Sequence, residues 1–280
     1  MTDTHDPAPT ALDRVRDHYR ATGLTERLRT ALLAFGPEDQ RFPPERLAPL
    51  DQFHTRGLAA TTDLARMSEI RSSDRVLDVG SGVGGPARFL AATCGCEVVG
   101  VDLSEPFTEA ARYLTERTGQ PAEQVSFETG NALDLRFEDD CFDAVFLQHV
   151  AMNIADRAGL YAEIQRVLKP GGRFATFDIL RAAGEPHYPL PWARTPETSC
   201  LLTERETRDA IEAAGFRVRV WHDDTEAARA WFAQAFAAGP PPAPNLGVVM
   251  GPEFPGLTGN LSRSIVEGRV SVLAAVFDNP

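Results

Sequence analysis

A glycine-rich segment, Leu77-Asp-Val-Gly-Ser-Gly-Val-Gly-Gly-Pro86, points most directly to chemistry in this 280-residue chain. An apolar run precedes it and a proline suited to a first helical turn follows, so the glycines join a strand to a helix. Glycines at such a junction let the backbone approach a ligand, and the first amide groups of the helix face that ligand. The spacing of Gly80, Gly82 and Gly85 also fits a dinucleotide site, which keeps a nicotinamide or flavin enzyme open.

Two acidic residues narrow the choice of ligand. Asp102 ends the next predicted strand, where a carboxylate can accept hydrogen bonds from both ribose hydroxyls of an adenosine ligand. Asp78 precedes the loop, and its negative charge disfavours a pyrophosphate but stabilises a ligand that carries a cationic amine and a sulfonium. The pair therefore favours a positively charged adenosine ligand over a dinucleotide.

Histidine is the natural proton acceptor near pH 7, and three histidines lie in segments expected near a substrate. His149 follows the fourth predicted strand, and open α/β sheets bind ligands at the carboxyl ends of their strands. We expect His149 and Asn153 to face the substrate and Gln148 to lie beside the cofactor, although a purely structural histidine is the alternative. His187 lies in a loop of aromatic residues and prolines that suits a pocket wall or an ordinary connection. His54 either covers the cofactor or caps a helix.

These residues must be positioned by strands that alternate with helices. Short apolar runs predict strands over residues 75–79, 97–101, 125–128, 142–147, 173–179, 216–221 and 271–277. Helical spacing predicts helices over residues 11–33, 57–67 and 105–118, and others that begin near Gly85, Asp156 and Thr203. We expect Ser104 to cap the helix over residues 105–118. The alternation predicts an α/β fold with a doubly wound, parallel sheet.

The glycine loop and four later segments resemble the motifs of class I S-adenosylmethionine-dependent methyltransferases. The later segments are Val99-Gly-Val-Asp102, Gly130-Asn-Ala132, Phe142-Asp-Ala-Val145 and Leu168-Lys-Pro-Gly-Gly172, and the resemblance covers residues 71–221. Gly82-Val-Gly-Gly-Pro-Ala87 and Asp51-Gln-Phe-His-Thr55 are most similar to small-molecule enzymes of the sarcosine/dimethylglycine and tocopherol or sugar O-methyltransferase group. The resemblance implies a Rossmann-like, seven-stranded, mostly parallel sheet whose last strand is antiparallel.

The resemblance also implies S-adenosyl-L-methionine as the cofactor and gives roles to the loop residues. Gly80, Gly82 and Gly84, together with Ser81, would line the methionine part, and Asp78 would help to hold its amino group.

On the adenosine side, Asp102 would bind the ribose and Leu103 would pack on the adenine. Asn131 and Ala132 would bound the adenine edge. Many relatives have Asp where this chain has Asn131, whose amide oxygen can still accept a hydrogen bond from the adenine amino group. Lys169 to Gly172 would form a turn without a catalytic role.

The remaining chain predicts covers for this core. We expect a helical N-terminal cap over residues 1–70 and a methyltransferase core over residues 71–280. Within the core, residues 181–202 and 222–268 interrupt the alternation of strands and helices, and we expect these insertions to cover the substrate pocket.

Composition excludes several classes of partner. The 28 basic and 40 acidic residues give a net charge of −12, which repels nucleic acids and anionic membrane surfaces. No apolar run approaches the roughly 18 residues that span a bilayer, and residues 1–9 do not read as a secretion signal, so we expect a cytoplasmic protein. The four cysteines show no zinc-ligand spacing, and we therefore predict free thiols and no metal.

Taken together, the residues and the resemblance predict methyl transfer from S-adenosyl-L-methionine to a nitrogen or oxygen atom of a small molecule. A neutral amine, or a hydroxyl deprotonated by a histidine, asks least of the candidate residues. Carbon methylation of an isoprenoid or aromatic molecule is the alternative. An NAD-linked oxidoreductase and a non-catalytic cofactor-binding protein are alternatives of other classes, and a homo-oligomer stays open.

Overall fold

The structure is a computed structural model that describes residues 10–239 and 244–280. Residues 1–9 of the expected N-terminal cap and residues 240–243 of the second expected insertion lie outside the described residues.

The centre of the fold is a seven-stranded sheet in the order β3-β2-β1-β4-β5-β7-β6. Its strands are β1 Arg75–Val79, β2 Glu97–Asp102, β3 Val125–Thr129, β4 Phe142–Gln148, β5 Leu168–Arg181, β6 Arg217–Asp223 and β7 Val270–Asp278. Strands β1 to β5 pair in parallel, and β7 is antiparallel to both β5 and β6. The predicted Rossmann-like fold with an antiparallel last strand is therefore confirmed.

The apolar runs become strands because both faces of this sheet are buried. Successive side chains of a strand point to opposite faces. Val76 of β1 and Val98 of β2 accordingly pack in one apolar cluster, while Leu77 and Val99 pack in the cluster on the other face. A sheet covered by helices on both faces reads as continuous apolar sequence, which is the pattern that the strand predictions used.

Eleven α-helices accompany the sheet in the described ranges 10–239 and 244–280. Four precede β1: α1 Ala11–His18, α2 Leu24–Leu32, α3 Pro44–Asp51 and α4 Leu58–Met67. Four connect the strands up to β6: α5 Gly85–Cys94, α6 Glu105–Thr118, α7 Arg157–Val167 and α8 Glu204–Ala213. Three lie between β6 and β7: α9 Thr225–Ala238, α10 Gly247–Met250 and α11 Phe254–Val266. Among the helices that the structure describes, none is both long and apolar enough to cross a membrane.

Several local predictions were right. A capping box begins α8, in which the Glu206 amide donates to the Thr203 hydroxyl and the Thr203 amide donates to the Glu206 carboxylate. The Asp156 carboxylate likewise accepts a hydrogen bond from the Gly159 amide at the start of α7.

Other local predictions were wrong. The single helix expected over residues 11–33 is split into α1 and α2, with Gly23 in a left-handed conformation at φ 66°. Ser104 precedes α6 but does not cap it with its side chain, because its hydroxyl donates to the Tyr19 carbonyl oxygen instead. The expected turn over Lys169 to Gly172 is part of β5, where the pairing with β4 shifts register after Phe142.

A buried ion pair joins the N-terminal helices to the sheet domain. The Arg88 guanidinium on α5 donates to the Asp51 carboxylate at the end of α3 over 2.9 Å, and both side chains are fully buried. Such a pair is costly to break from one side, because the remaining charge would be left without a partner. The end of α3 is therefore fixed beside the glycine loop.

Candidate active site

A cavity of about 330 Å³ lies at the carboxyl ends of β1, β2 and β4. Open α/β sheets bind ligands at this edge, beside the point where strand order reverses between β1 and β4. Most of the predicted site residues line it: His54, Gly80, Gly82, Asp102, Leu103, Asn131, Ala132, Gln148, His149 and Asn153. The four predicted residues that do not line it are Asp78, Ser81, Gly84 and His187.

The glycine loop is held against β2. The amides of Gly80 and Ser81 both donate to the Val101 carbonyl oxygen, at 2.7 and 3.0 Å. Gly80 has φ 73°, and a Cβ atom there would lie 2.3 Å from a methyl carbon of Val150. A side chain would therefore be both strained and blocked at this position. Gly80 and Gly82 thus place backbone against the cavity, and their contact with a cofactor stays a prediction.

Gly84 has a different role from the predicted one. It precedes α5 at φ 80°, and a Cβ atom there would lie 2.4 Å from the Phe127 ring. Because Gly84 packs against this buried ring and does not line the cavity, its glycine is explained by packing.

Two carboxylates stand at the ends of adjacent strands. Asp102 accepts hydrogen bonds from the Gly82 amide at 2.8 Å and the Ser104 amide at 2.9 Å. Burial raises the pKa of Asp102 to about 6. Burial, with the nearby charge of Asp102, raises the pKa of Asp78 to about 7. A cation bound near these two carboxyl groups would stabilise their ionised forms, so this edge of the cavity suits a positively charged ligand.

Three buried polar atoms around the loop lack a hydrogen-bond partner among the residues that the structure describes. They are Asp78 Oδ2, Ser81 Oγ and Gln148 Nε2. Buried polar groups in proteins are nearly always paired, so unpaired ones need an explanation, and a bound polar ligand is one. Asp78 and Ser81 lie just behind the lining residues, whereas Gln148 lines the cavity itself.

The adenine edge is built by a local turn. Asn131 Oδ1 accepts a hydrogen bond from the Leu133 amide at 3.0 Å, and the Asp134 amide donates to the Asn131 carbonyl oxygen. The amide oxygen that was expected to meet an adenine amino group is thus already bonded once, which leaves one lone pair.

The rings of His54, which is buried, and His149, which is half-buried, have centroids 6.0 Å apart. Burial lowers the pKa of both rings, to about 4 for His54 and well below 6.5 for His149. His149 Nε2 lies 3.4 Å from the Thr55 hydroxyl. His54 lines the cavity and donates from Nε2 to the Gly57 carbonyl oxygen, but α4 begins without a side-chain cap, so the capping alternative is wrong and the cofactor role stays a prediction. Both rings are neutral at pH 7.

Asn153 is held by one residue far away in sequence and by one nearby. Its Oδ1 accepts a hydrogen bond from the Tyr19 hydroxyl at 3.2 Å, and its Nδ2 donates to the Val150 carbonyl oxygen. Tyr19 and Thr55 line the cavity but were missed as site residues. Tyr19 carried only the signal of an apolar helical stripe, and Thr55 only its place beside His54.

His187 does not reach the cavity. Its ring Nε2 lies 2.8 Å from the Glu267 carboxylate, and its amide donates to the Ser264 hydroxyl. Both partners belong to α11 or the residue after it, so this pairing draws the ring away. The predicted role of His187 facing the substrate is therefore wrong, and Pro191 and Trp192 are the residues of that loop that line the cavity.

The segments expected to cover the pocket form its other walls. Leu12 and Val15 come from α1, and Trp231 and Phe232 come from α9. Helices α10 and α11 add further apolar side chains, which are Met250, Phe254 and Leu261. The cavity thus has a polar wall of strand ends and an apolar wall of helices.

Comparison with known proteins gives this arrangement a context. Residues 77–176 match the family described as a methyltransferase domain. Sterol 24-C-methyltransferase from Eremothecium gossypii is 40% identical over 115 residues, which are 41% of this chain and 31% of that enzyme. The chain spans about a third of the length of the sterol methyltransferases that it matches.

Two solved structures resemble nearly the whole chain. The [4+2]-cyclase SpnF has a TM-score of 0.69 at 22% identity, over 98% of this chain and 97% of that chain. Geranyl diphosphate C-methyltransferase from Streptomyces coelicolor A3(2), in complex with Mg²⁺, geranyl diphosphate and S-adenosyl-L-homocysteine, has a TM-score of 0.67 at 17% identity. That alignment covers 98% of this chain and 100% of the other. At these identities the likeness establishes a shared fold.

Proposed function

We propose that the chain is a class I S-adenosylmethionine-dependent methyltransferase that transfers a methyl group to a nitrogen or oxygen atom of a small molecule, and the match of residues 77–176 to a methyltransferase domain supports this. The single observation that carries the proposal is a pair of acids at the ends of adjacent strands around a glycine loop, of which Asp78 is buried and Asp102 is half-buried. A cationic adenosine cofactor would offer an ammonium group to Asp78 and ribose hydroxyls to Asp102.

The residues present fit S-adenosyl-L-methionine. When bound, this cofactor supplies an electrophilic methyl group on a positively charged sulfur. Gly80 and Gly82 would border its methionine part, and the unpaired Asp78 Oδ2 would accept a hydrogen bond from its ammonium group. Asp102 would accept from the ribose, with Leu103 and Ala132 against the adenine.

His149 supports a role as the general base toward a hydroxyl acceptor. A neutral imidazole can take a proton, and burial keeps His149 neutral at pH 7. The neighbouring Asn153 and Tyr19 would orient the acceptor, since both line the cavity and hydrogen-bond each other. An amine acceptor would need the same walls but no base.

Carbon methylation remains the alternative reaction. The relative from Eremothecium gossypii is named as a sterol C-methyltransferase, and the apolar wall of the cavity suits an isoprenoid or aromatic molecule equally well. The same residues would then bind the acceptor, and the methylated atom of the isolated product distinguishes the reactions.

We further propose that the protein is cytoplasmic, that it binds neither nucleic acids nor membranes, and that residues 1–70 form a helical cap. Whether the chain forms a homo-oligomer stays open. The net charge of −12 supports the absence of nucleic-acid and membrane partners, because it repels nucleic acids and anionic membrane surfaces. Cell fractionation and light scattering test these statements.

Calorimetry tests the cofactor and therefore the proposal. S-adenosyl-L-methionine and S-adenosyl-L-homocysteine should both bind saturably to the folded protein and raise its Tm, while NAD should do neither. Stabilisation by NAD alone would instead support the oxidoreductase alternative. Binding of S-adenosyl-L-methionine without methyl transfer to any of a panel of alcohols, amines and isoprenoids would support the non-catalytic alternative.

A further inference from the structure

The apolar wall of the cavity carries information about the acceptor. It combines aliphatic side chains of α1 with aromatic ones of α9, among them Val15, Trp231 and Phe232. Leu261 and Phe254 of α11 complete it. A surface of this kind is favoured by apolar molecules, because their contact with it removes apolar area from water.

Charge on the lining is of one sign. Of the described residues that line the cavity, none is Lys or Arg, while Asp102 and Asp156 are acidic. The Asp156 carboxylate accepts a hydrogen bond from the Gly159 amide, which fixes it at the start of α7. Since Asp102 is assigned to the ribose, an anionic acceptor would meet the like charge of Asp156 and no cationic side chain.

Two arginines near the walls are already engaged in ion pairs elsewhere. Arg56 follows the lining residue Thr55, but its guanidinium donates to the carboxylates of Asp63 and Asp224 at 2.7 and 2.8 Å. Arg194 pairs with Glu253. Turning either side chain inward would break an existing ion pair.

Apart from Asp156, the polar groups that remain for the acceptor are few and neutral. The His149 ring, the Thr55 hydroxyl and the Tyr19–Asn153 pair lie between the apolar wall and the strand ends. They match one hydroxyl or amine on an otherwise apolar molecule. A phosphate or diphosphate needs several donors with positive charge, and desolvating it without them is unfavourable.

Resting on the proposed function, we infer that the methyl acceptor is a largely apolar molecule that carries no negative charge and has a single small polar group, and that phosphorylated acceptors are excluded. The geranyl diphosphate C-methyltransferase from Streptomyces coelicolor would thus differ from this chain in substrate charge while sharing its fold.

Displacement of a neutral fluorophore tests this inference without measuring activity. Protein loaded with S-adenosyl-L-homocysteine is mixed with N-phenyl-1-naphthylamine, which is then displaced by 1-octanol or by octyl phosphate. The two competitors share one carbon chain and differ in charge. We expect octyl phosphate to require at least a tenfold higher concentration. Equal or stronger displacement by octyl phosphate overturns the inference, and so does failure of the fluorophore to bind.

A matched pair of substitutions locates the effect. Thr258 on α11 lines the cavity and Thr62 on α4 is exposed, and each hydroxyl donates to the carbonyl four residues earlier. Thr258→Arg should reduce the preference for octanol at least threefold, whereas Thr62→Arg should leave it unchanged. Equal preferences in the two variants would overturn the assignment to this cavity.

The outcomes separate the two proposals. If S-adenosyl-L-homocysteine does not bind in calorimetry, the proposed function fails, and the displacement measured on cofactor-free protein still decides the charge of the preferred ligand. If it binds and octyl phosphate wins, only the acceptor inference fails.

Discussion

The imidazole ring of His149 lies parallel to the phenyl ring of Phe177, with planes 3° apart and centroids 5.5 Å apart. The His149 amide also donates to the Phe177 carbonyl oxygen at 2.7 Å. His149 has φ 56°, a conformation that is uncommon outside glycine and is retained where surrounding contacts enforce it. Strand β5 therefore sets both the position and the plane of the candidate base.

Replacement of His149 should affect turnover far more than cofactor binding. His149→Ala removes the proposed base, and loss of general base catalysis lowers kcat by roughly 100- to 10,000-fold. The Kd for S-adenosyl-L-homocysteine, measured by calorimetry, should change less than threefold. His222→Ala is the control, since His222 is 59% exposed on β6. An equal loss of kcat and affinity in His149→Ala would contradict the role.

The pH dependence of kcat should reflect the lowered pKa of His149. Burial lowers the pKa of His149 well below 6.5, so the ring is neutral and able to accept a proton at every pH above that lowered value. With cofactor and acceptor saturating, kcat should stay flat from pH 8 to pH 6 and fall only in more acidic buffer. A limb centred at pH 6.5 that disappears in His149→Gln would show that the ring titrates like an exposed one.

The Asp102 carboxylate should dominate the affinity for the adenosine part. Asp102→Asn removes the charge and one of two acceptor oxygens that now bind the Gly82 and Ser104 amides. We expect the Kd for S-adenosyl-L-homocysteine to rise at least tenfold in calorimetry. Asp209→Asn, an exposed site on α8, supplies the matched control. Affinity within threefold of the parent would rule out the ribose assignment.

Asp78 should cost the cofactor-free protein stability as pH rises. Its folded pKa of about 7 exceeds the unfolded value of 3.8, so its contribution is fully present below pH 3.8 and is lost as pH increases through 7. The Asp78→Asn side chain cannot ionise, so the variant should be more stable than the parent by a larger margin at pH 8 than at pH 5. We expect this margin to grow by on the order of 3 kcal/mol in free energy of unfolding, and the Tm difference should grow with it. The same variant should bind S-adenosyl-L-methionine more weakly at pH 8. A gain in Tm that is equal at both pH values would contradict the raised pKa.

Two glycines that flank α5 separate packing from binding. Gly84 and Gly95 both adopt left-handed conformations, but a Cβ at Gly84 meets the Phe127 ring at 2.4 Å and one at Gly95 meets only Ser72 at 3.4 Å. Gly84→Ala should lower stability by about 1–3 kcal/mol more than Gly95→Ala in urea unfolding, because it overpacks the core. The folded Gly84→Ala protein should keep its affinity for S-adenosyl-L-homocysteine. A large loss of affinity at unchanged stability would restore the predicted cofactor contact.

The strands could be predicted because their sequence code is local. β1 was predicted at its observed bounds and β2 and β4 to within one residue, since strands buried on both faces are continuous apolar runs. Helix α3 was missed because Pro43, Pro44 and Pro49 disguise its spacing, although a proline is well tolerated in a first helical turn.

The strand-end half of the site was predictable for the same reason, and the other half was not. Gly80 and Asp102 take their places from the strands that they follow. Tyr19 meets Asn153 across 134 residues of chain, and His187 is drawn to Glu267 across 80 residues. Such pairings depend on how helices pack over the sheet, and that packing leaves no periodic trace in sequence.

The two walls of the cavity also come from different stretches of the chain. Most of the polar wall lies within residues 77–176, the stretch shared with the wider family, whereas the apolar wall comes from α1, from the loop that carries Trp192, and from α9 to α11. Changes in those outer segments can accumulate without disturbing the strand ends. A lineage with this architecture can thus exchange one acceptor for another by changing the segments that form the apolar wall. Chimeras that swap only those segments should take the binding of the methyl donor from one parent and the acceptor preference from the other.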